Sequence, residues 1–232
     1  MRILVATALS VLSLGAAAQD NETITGNGKT VTADVPVKSF DALKASGVYE
    51  LKLAQGSAES VKIEADENLQ ALFEVRNEGS QLVIDMKKRK GGLNLKKGSR
   101  MTVYVTFRQL KRLELNMVGN VRTEGQLTFN DINLKNNSVG NVDLKLSADR
   151  IDVDNDGVGN VVLSGKATNA VFHHDGVGAL RAGDLQAQSV SIDNDGVGGA
   201  EVNAEKELKV KDSFLGKVKN RGAARMHKKE VI

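Results

Sequence analysis

A glycine recurs along the second half of the chain at a spacing close to twenty residues. The intervals between successive copies are 21, 19, 19, 20 and 18 residues. A period of this length is typical of solenoids, in which each coil buries its apolar face only against its neighbours. The glycines of the repeat are Gly119, Gly140, Gly159, Gly178, Gly198 and Gly216.

Three other positions of the repeat are apolar, and we expect all three columns to face the core of a stack. The residue before the glycine is Val118, Val139, Val158, Val177, Val197 or Leu215. The second residue after the glycine is Val121, Val142, Val161, Leu180, Ala200 or Val218. The sixth residue before the glycine is Leu113, Leu134, Val153, Phe172, Ile192 or Val210.

Within each copy, apolar and polar residues alternate, as in the segment 151–155, and this is the period of a β-strand. No stretch of the region has the 3.6-residue period of an amphipathic helix. The repeat therefore predicts an all-β fold. We expect a right-handed parallel β-helix or solenoid with about 20 residues per coil.

The same alternation places one polar column inward. Asn136, Asn155 and Asn194 share the parity of the apolar strand residues, and His174 and Asp212 stand at the equivalent positions. Stacked amides can bond one another along a solenoid and satisfy buried backbone groups at a bend. We therefore interpret the asparagine and glycine columns as structural.

Aspartates form outward columns on consecutive coils. These residues are Asp154, Asp156, Asp175, Asp193 and Asp195. Carboxylates about 4.8 Å apart repel in water by roughly 0.9 kcal/mol per pair, and a bound calcium ion would relieve that repulsion. An EF-hand is excluded because Leu163 stands where the loop needs a glutamate. The favoured interpretation is solvated turn aspartates, with a calcium site as the alternative.

Residue types needed for most catalytic sites are scarce. The chain has no cysteine, 3% aromatic residues and three histidines. His173 and His174 must point to opposite sides of a strand, so they do not ligate one metal together. No serine lies in a nucleophile elbow, and the paired glycines lack the rest of a phosphate-binding motif. We predict no catalytic residues, and the few aromatics also argue against binding of single-stranded nucleic acid.

The segment 87–100 contains seven basic residues and no acidic one. Such a run can attract an anionic polysaccharide or a membrane surface, although a solvated hairpin is the favoured interpretation. The candidate anion-binding residues are Lys87, Lys88, Arg89, Lys90, Lys96, Lys97 and Arg100.

Residues 1–18 have the pattern of a secretory signal peptide, with Arg2 before an apolar run and alanines before a cleavage point after Ala18. No other stretch is apolar enough for a membrane span, so we expect a protein exported to the periplasm, the outer surface or the medium. The mature chain divides into a strand-rich region, 19–110, and the repeat region, 111–232. In the first region, Val48–Leu53 and Val61–Ala65 are predicted to form a hairpin, and both regions are expected to share one stack.

Several motifs resemble one known family. Gly26–Gly28, Phe40–Gly47, Leu51–Gly56 and Val61–Asn68 occur in this order before the Val-Gly-Asn-Val coils. Over nearly all of the mature chain, the sequence resembles the auto-transporter adhesin head GIN domain family, which is typical of exported Bacteroidetes proteins. The resemblance implies a β-helix related in shape to pectin-lyase-like folds, a role in adhesion and no catalytic residues.

These observations favour a non-enzymatic exported module that binds an envelope or host polysaccharide, or a surface protein. One alternative is a polysaccharide lyase or hydrolase whose groove would be lined by Asp154, Asp156, Asp193 and Asp195. The other alternative is a structural rod that self-assembles through its end coils.

Overall fold

The computed structural model describes residues 23–87, 91–95, 99–212 and 217–228, without the side chains of Asp212 and of residues 226–228. Within these ranges the chain forms eighteen strands and one short 3₁₀ helix, Glu67–Leu72, so the predicted all-β class is confirmed. The predicted signal peptide lies outside the described residues.

Nine strands belong to the N-terminal region. They are β1 Ile24–Thr25, β2 Thr30–Val35, β3 Ala42–Val48, β4 Glu50–Gln55, β5 Ser60–Asp66, β6 Phe73–Glu78, β7 Gln81–Met86, β8 Leu93–Asn94 and β9 Thr102–Phe107. β5 pairs antiparallel with both β2 and β9, whereas β6 and β7 form an antiparallel hairpin around Gly79. The short β1 and β8 pair with each other.

The predicted hairpin of Val48–Leu53 and Val61–Ala65 is wrong. These segments correspond to β4 and β5, but β9 lies between them. Val103 in β9 pairs with Leu51 on one side and with Ile63 on the other. β9 buries Val103, Val105 and Phe107, and a central position gives this apolar strand a hydrogen-bonded neighbour along both edges.

Nine more strands make up the repeat region. They are β10 Arg112–Val118, β11 Val121–Thr123, β12 Leu127–Asn136, β13 Val142–Asn155, β14 Val161–His174, β15 Leu180–Asn194, β16 Ala200–Asp212, β17 Val218–Asn220 and β18 Met226–Lys228. Neighbouring coils pair in parallel, so that Val142, Val161, Leu180 and Ala200 lie in one column. The predicted solenoid is confirmed, with about 5 turns of roughly 20 residues.

The regular coils continue into the N-terminal region. Leu113 of β10 pairs in parallel with Leu43 of β3, and Val121 of β11 pairs in parallel with Leu51 of β4. Sixteen of the described strands therefore belong to one hydrogen-bonded sheet. A single apolar core runs along its interior, where Phe107 and Phe129 stack with ring centroids 6.0 Å apart.

Two of the three predicted apolar columns are buried, but the third is not. The columns that begin at Leu113 and at Val121 are at most 8% exposed. In contrast, the five valines that precede the repeat glycines are 48–56% exposed, and Leu215, the last member of that column, lies outside the described residues. Strand alternation explains the difference, because Asn155 points inward and Val158, three residues later, therefore points outward. Val161 lies six residues after Asn155, an even number, so the same alternation returns it to the core.

Candidate functional site

Each regular coil has two edges at which the chain changes direction. We call the first the valine edge, defined by the outward residues Val48, Val118, Val139, Val158, Val177 and Val197. We call the second the polar edge, defined by the column Ser39, Gln109, Asn130, Asp149, Thr168 and Gln188. Two successive outward residues, such as Asp149 and Arg150, interrupt the alternation of a long strand there, and the pairing ladder skips the first of them.

The valine edge requires glycine at the repeat positions. Gly119, Gly140, Gly159, Gly178 and Gly198 have φ angles between 133° and 144°, a region that favours glycine. A Cβ on Gly159 would also overlap the backbone carbonyl oxygen of Gly140 in the preceding coil. The column thus allows close approach between coils, and the remaining repeat glycine, Gly216, lies outside the described residues.

Buried amides line the inside of the valine edge. Asn136 donates from Nδ2 to Oδ1 of Asn155 (2.6 Å), and Asn155 donates from its own Nδ2 to Nδ1 of His174 (2.7 Å). His174 then donates from Nε2 to the carbonyl oxygen of Gly178 (3.0 Å), an arrangement that requires the Nε2–H tautomer. At the other end of this series of hydrogen bonds, the hydroxyl of Ser138 donates to Oδ1 of Asn136.

Asn194 occupies the next coil of this column and differs from the others. Its side chain is completely buried, yet neither Oδ1 nor Nδ2 has a hydrogen-bond partner among the described residues. The second ring nitrogen of His174, Nε2, donates to the carbonyl oxygen of Gly178 and not to the side chain of Asn194. The stacked-amide interaction therefore joins Asn136, Asn155 and His174 but does not extend to Asn194.

The five aspartates considered as calcium ligands lie on the outside of the valine edge. Asp154 is 3.7 Å from Nζ of Lys135, whereas Asp193 and Asp195 are 2.7 and 3.7 Å from Nζ of Lys211. Asp156 and Asp175 are exposed. Across the described ranges, no group of three or more His, Cys, Asp or Glu side chains is arranged to hold a metal ion. Lysines thus supply positive charge beside three of these carboxylates.

The basic segment is described only in part. Lys87 and Arg100 are exposed, and the intervening residues 91–95 contain β8, which pairs with β1. The other five candidates, namely Lys88, Arg89, Lys90, Lys96 and Lys97, lie outside the described residues. Among the described segments, no helix has the length and apolarity needed to cross a membrane.

Three adjoining cavities form a groove along the polar edge. One cavity of about 620 Å³ contains Gln109, Asn130 and Asn133, and a second of about 620 Å³ extends it past Ser39. A third cavity of about 480 Å³ extends it past Thr168 and Gln188. The first cavity shares lining residues with each of the others, so the groove follows the solenoid axis. None of the three is lined by Asp154, Asp156, Asp193 or Asp195.

Most cations of the groove are held in ion pairs. Arg108 donates from Nε to Oε1 of Glu59 (2.8 Å), and Lys111 donates from Nζ to Oδ2 of Asp41 (3.0 Å). These hydrogen bonds lower the pKa of the Glu59 carboxyl and the pKa of the Asp41 carboxyl. Arg150 lies 3.3 Å from Asp152. The resulting surface presents hydrogen-bonding groups with little unpaired positive charge.

Gln55 braces the groove between two coils. Its Nε2 donates to the carbonyl oxygens of Arg108 and Thr128, both at 3.0 Å, and its Oε1 accepts from the backbone N–H of Thr128 at 2.8 Å. Three bonds to backbone from one side chain fix the spacing of the two coils at this point, so the groove has a rigid wall.

Sequence reasoning missed the polar edge. The available signal was the pair of successive polar residues that breaks the alternation in each long strand, at 149–150 and again at 168–169. Such a break marks a corner, because a bend lets two neighbouring side chains point outward together. The glycine repeat marks only the opposite edge, where the turns are tighter.

Comparison with known proteins places the chain in a family. The family model described as "Putative auto-transporter adhesin, head GIN domain" matches residues 39–224. A putative adhesin from Bacteroides fragilis has a similar structure, with 27% identity and a TM-score of 0.75 over 88% of this chain and 99% of that one. No curated protein matches the sequence.

Two structures from Parabacteroides share the fold at lower identity. One, from Parabacteroides distasonis, is described as a putative lipid binding protein, with 20% identity and a TM-score of 0.63 over 89% of this chain and 95% of that one. The other is a putative adhesin from Parabacteroides merdae, with 20% identity and a TM-score of 0.61 over the same shares of the two chains. The family match spans most of the sequence, and the chain therefore belongs to the putative auto-transporter adhesin, head GIN domain family.

Proposed function

We propose that this protein is a non-catalytic adhesion module that is exported to the periplasm or the cell surface and binds a polysaccharide or a surface protein. The observation that carries the proposal is the groove of the polar edge. It runs along several coils and presents one outward polar side chain from each, on a scaffold whose coils are hydrogen-bonded to one another.

The electrostatics of the groove support binding more than catalysis. A lyase or hydrolase needs carboxylates or a base poised to transfer a proton. Here Glu59 and Asp41 are ion-paired, and their hydrogen bonds stabilise the charged form of each carboxyl. The family description and two of the similar structures also refer to adhesins rather than to enzymes.

Repetition along the axis suits adhesion for a further reason. Coils stack at about 4.8 Å, so contacts that are individually weak recur at regular intervals along an extended partner. Several weak contacts on one rigid surface bind together more tightly than any of them alone.

The direct test is an adhesion assay with the mature protein, residues 19–232, coupled to beads. We expect these beads to adhere to bacterial envelope preparations or to host epithelial cells above beads coated with albumin. Beads that carry heat-denatured protein are the matched control, because they have the same composition without the folded surface. Adhesion no greater than the albumin background on every surface would contradict the proposal, as would turnover of a soluble polysaccharide by the purified protein.

A further inference from the structure

The groove of the polar edge carries an inference about ligand chemistry, which rests on the function proposed above. We propose that it binds an uncharged, hydroxyl-rich glycan in an extended conformation, lying parallel to the solenoid axis with about one sugar unit per coil.

Hydrogen-bonding groups repeat along the groove at the spacing of the coils. Gln109, Asn130, Asn133, Thr168 and Gln188 line it, and none of these side chains hydrogen-bonds to another described residue. Amides both donate and accept, and the threonine hydroxyl does the same. Sugar hydroxyls have this dual character, so four coils offer a group that both donates and accepts, and Asp149 of the coil between Asn130 and Thr168 offers an acceptor.

The charge of the groove disfavours an anionic polymer. Four cations line the three cavities, namely Arg108, Lys111, Arg150 and Lys166. Five carboxylates line the same cavities, namely Asp41, Glu59, Asp131, Asp149 and Asp152, so the formal charge is four minus five, or −1. Three of the four cations are already in ion pairs. A uronic acid polymer would meet a weakly negative surface, whereas a neutral glycan avoids that repulsion.

Apolar atoms form the floor between these polar groups. The ring of Phe129 borders two of the cavities and stacks on Phe107 beneath it. Ala148 and Ala167 continue this floor into the next coils. Binding sites for small polar ligands combine such apolar surface with a few placed hydrogen-bonding groups, and the C–H face of a sugar ring fits against it.

The direction of the groove argues against an extended peptide. A peptide that adds to a sheet needs a free strand edge with unpaired backbone groups. On both sides of the polar edge, β13 and β14 are paired with their neighbours coil to coil, and the groove crosses the strands instead of following one. A ligand along the axis must therefore be recognised by side chains, whose repeat of about 4.8 Å is comparable with the length of one pyranose unit.

The test uses defined oligosaccharides and the mature protein. Neutral glucan, mannan and galactan oligomers of increasing length are compared with uronic acid oligomers of matched length by isothermal titration calorimetry at physiological salt. We expect at least one neutral series to bind, with an affinity that rises up to about six sugar units, because six coils span about 24 Å, and then stays level.

Two variants examine the groove itself. Asn130→Ala combined with Thr168→Ala removes two exposed hydrogen-bonding groups and is expected to weaken binding about tenfold without a change in melting temperature. Asp175→Asn, an exposed change on the valine edge, is the matched control and leaves affinity unchanged.

The possible outcomes separate this inference from the proposed adhesion. If beads coated with the protein adhere to cells but no neutral oligomer binds, or only uronic acid oligomers bind, the glycan inference is overturned and adhesion stands. The inference is also overturned if the affinity for neutral oligomers does not depend on their length, or if the double variant binds them as tightly as the parent protein. If the beads adhere to nothing, both proposals fail.

Discussion

The two edges of the solenoid have opposite polarity patterns. At the valine edge, the outward column is apolar, and the inward column contains Asn136, Asn155 and His174. At the polar edge, the outward column is polar, and the inward column contains small apolar residues such as Ala148 and Ala167. The usual relation between burial and polarity therefore holds at one edge and is inverted at the other.

Backbone geometry accounts for the inversion. At the valine edge, the chain makes a tight turn through Gly157 and Gly159, and buried backbone groups there need side-chain partners such as Ser138 N–H bonding to Asn136. At the polar edge, the strand only bends, so alanines suffice inside. Apart from Ser39, which bonds to Glu59 and Arg108, the side chains of the outward column make no hydrogen bond to another described residue. The polar edge is therefore the better candidate for ligand binding, because the turn does not depend on most of its outward side chains.

The largest expected effect breaks the valine edge. Gly159→Ala places an alanine at a φ of +133°, where side-chain-bearing residues are strained, and its Cβ would overlap the carbonyl oxygen of Gly140. We expect the variant to lose about 3–5 kcal/mol in the free energy of unfolding. Gly125→Ala is the matched control, since Gly125 has a φ of +102° but nothing within 4 Å of the added Cβ, and it should cost about 1–2 kcal/mol. Urea denaturation monitored by circular dichroism measures both.

Equal losses in the two glycine variants would show that backbone strain alone matters. The close approach between coils would then not be the reason that the valine edge needs glycine, and the difference between the edges would require another cause.

A smaller effect distinguishes the paired and unpaired amides of the inner column. Asn155→Leu leaves Nδ2 of Asn136 and Nδ1 of His174 without partners, and we expect a loss of about 2–4 kcal/mol. Asn194→Leu is the matched control, because neither amide atom of Asn194 has a partner, and it should raise stability by about 1 kcal/mol. Chemical denaturation of both variants checks the sign. A loss in Asn194→Leu as large as that in Asn155→Leu would contradict the assignment.

The sequence predicted the fold better than it predicted the groove. A fixed period aligns residues between coils, so the columns that begin at Leu113 and at Val121 were correctly predicted to be buried. A fixed spacing does not by itself say which way a column points. Val158 stands an odd number of residues from Val153 and therefore faces outward, so the prediction that it lies in the core was wrong. The groove depends on how Arg108, Gln55 and Thr128 from different coils meet at a bend, and local sequence patterns do not contain that distance information.

Acidification should weaken the N-terminal end of the polar edge. The folded protein lowers the pKa of Glu59 and of Asp41 through hydrogen bonds from Arg108 and Lys111. A lowered pKa contributes stability that is complete above about pH 5 and is lost as the pH falls through about 4 toward the folded-state pKa. The partly exposed pairs make this a few tenths to about 1 kcal/mol.

Glu59→Gln examines that contribution directly. We expect the variant to be less stable than the parent at pH 7 and to lose less stability on going to pH 3, as measured by thermal unfolding. Identical pH profiles for the variant and the parent would show that the ion pair of Glu59 with Arg108 adds nothing to the stability of this edge.

The smallest expected effect concerns calcium at the valine edge, where we expect none. Lys211 lies 2.7 Å from Asp193 and 3.7 Å from Asp195, so part of the carboxylate repulsion is already offset by a side chain. Melting temperatures of the mature protein with added calcium and with a chelator should therefore agree within error, with magnesium as the control cation. A dose-dependent rise of several degrees that disappears in Asp156→Asn with Asp195→Asn would contradict this expectation. The outward surface of the valine edge would then bind a ligand of its own. A less constrained backbone would no longer be a sufficient reason to prefer the polar edge as the ligand-binding site.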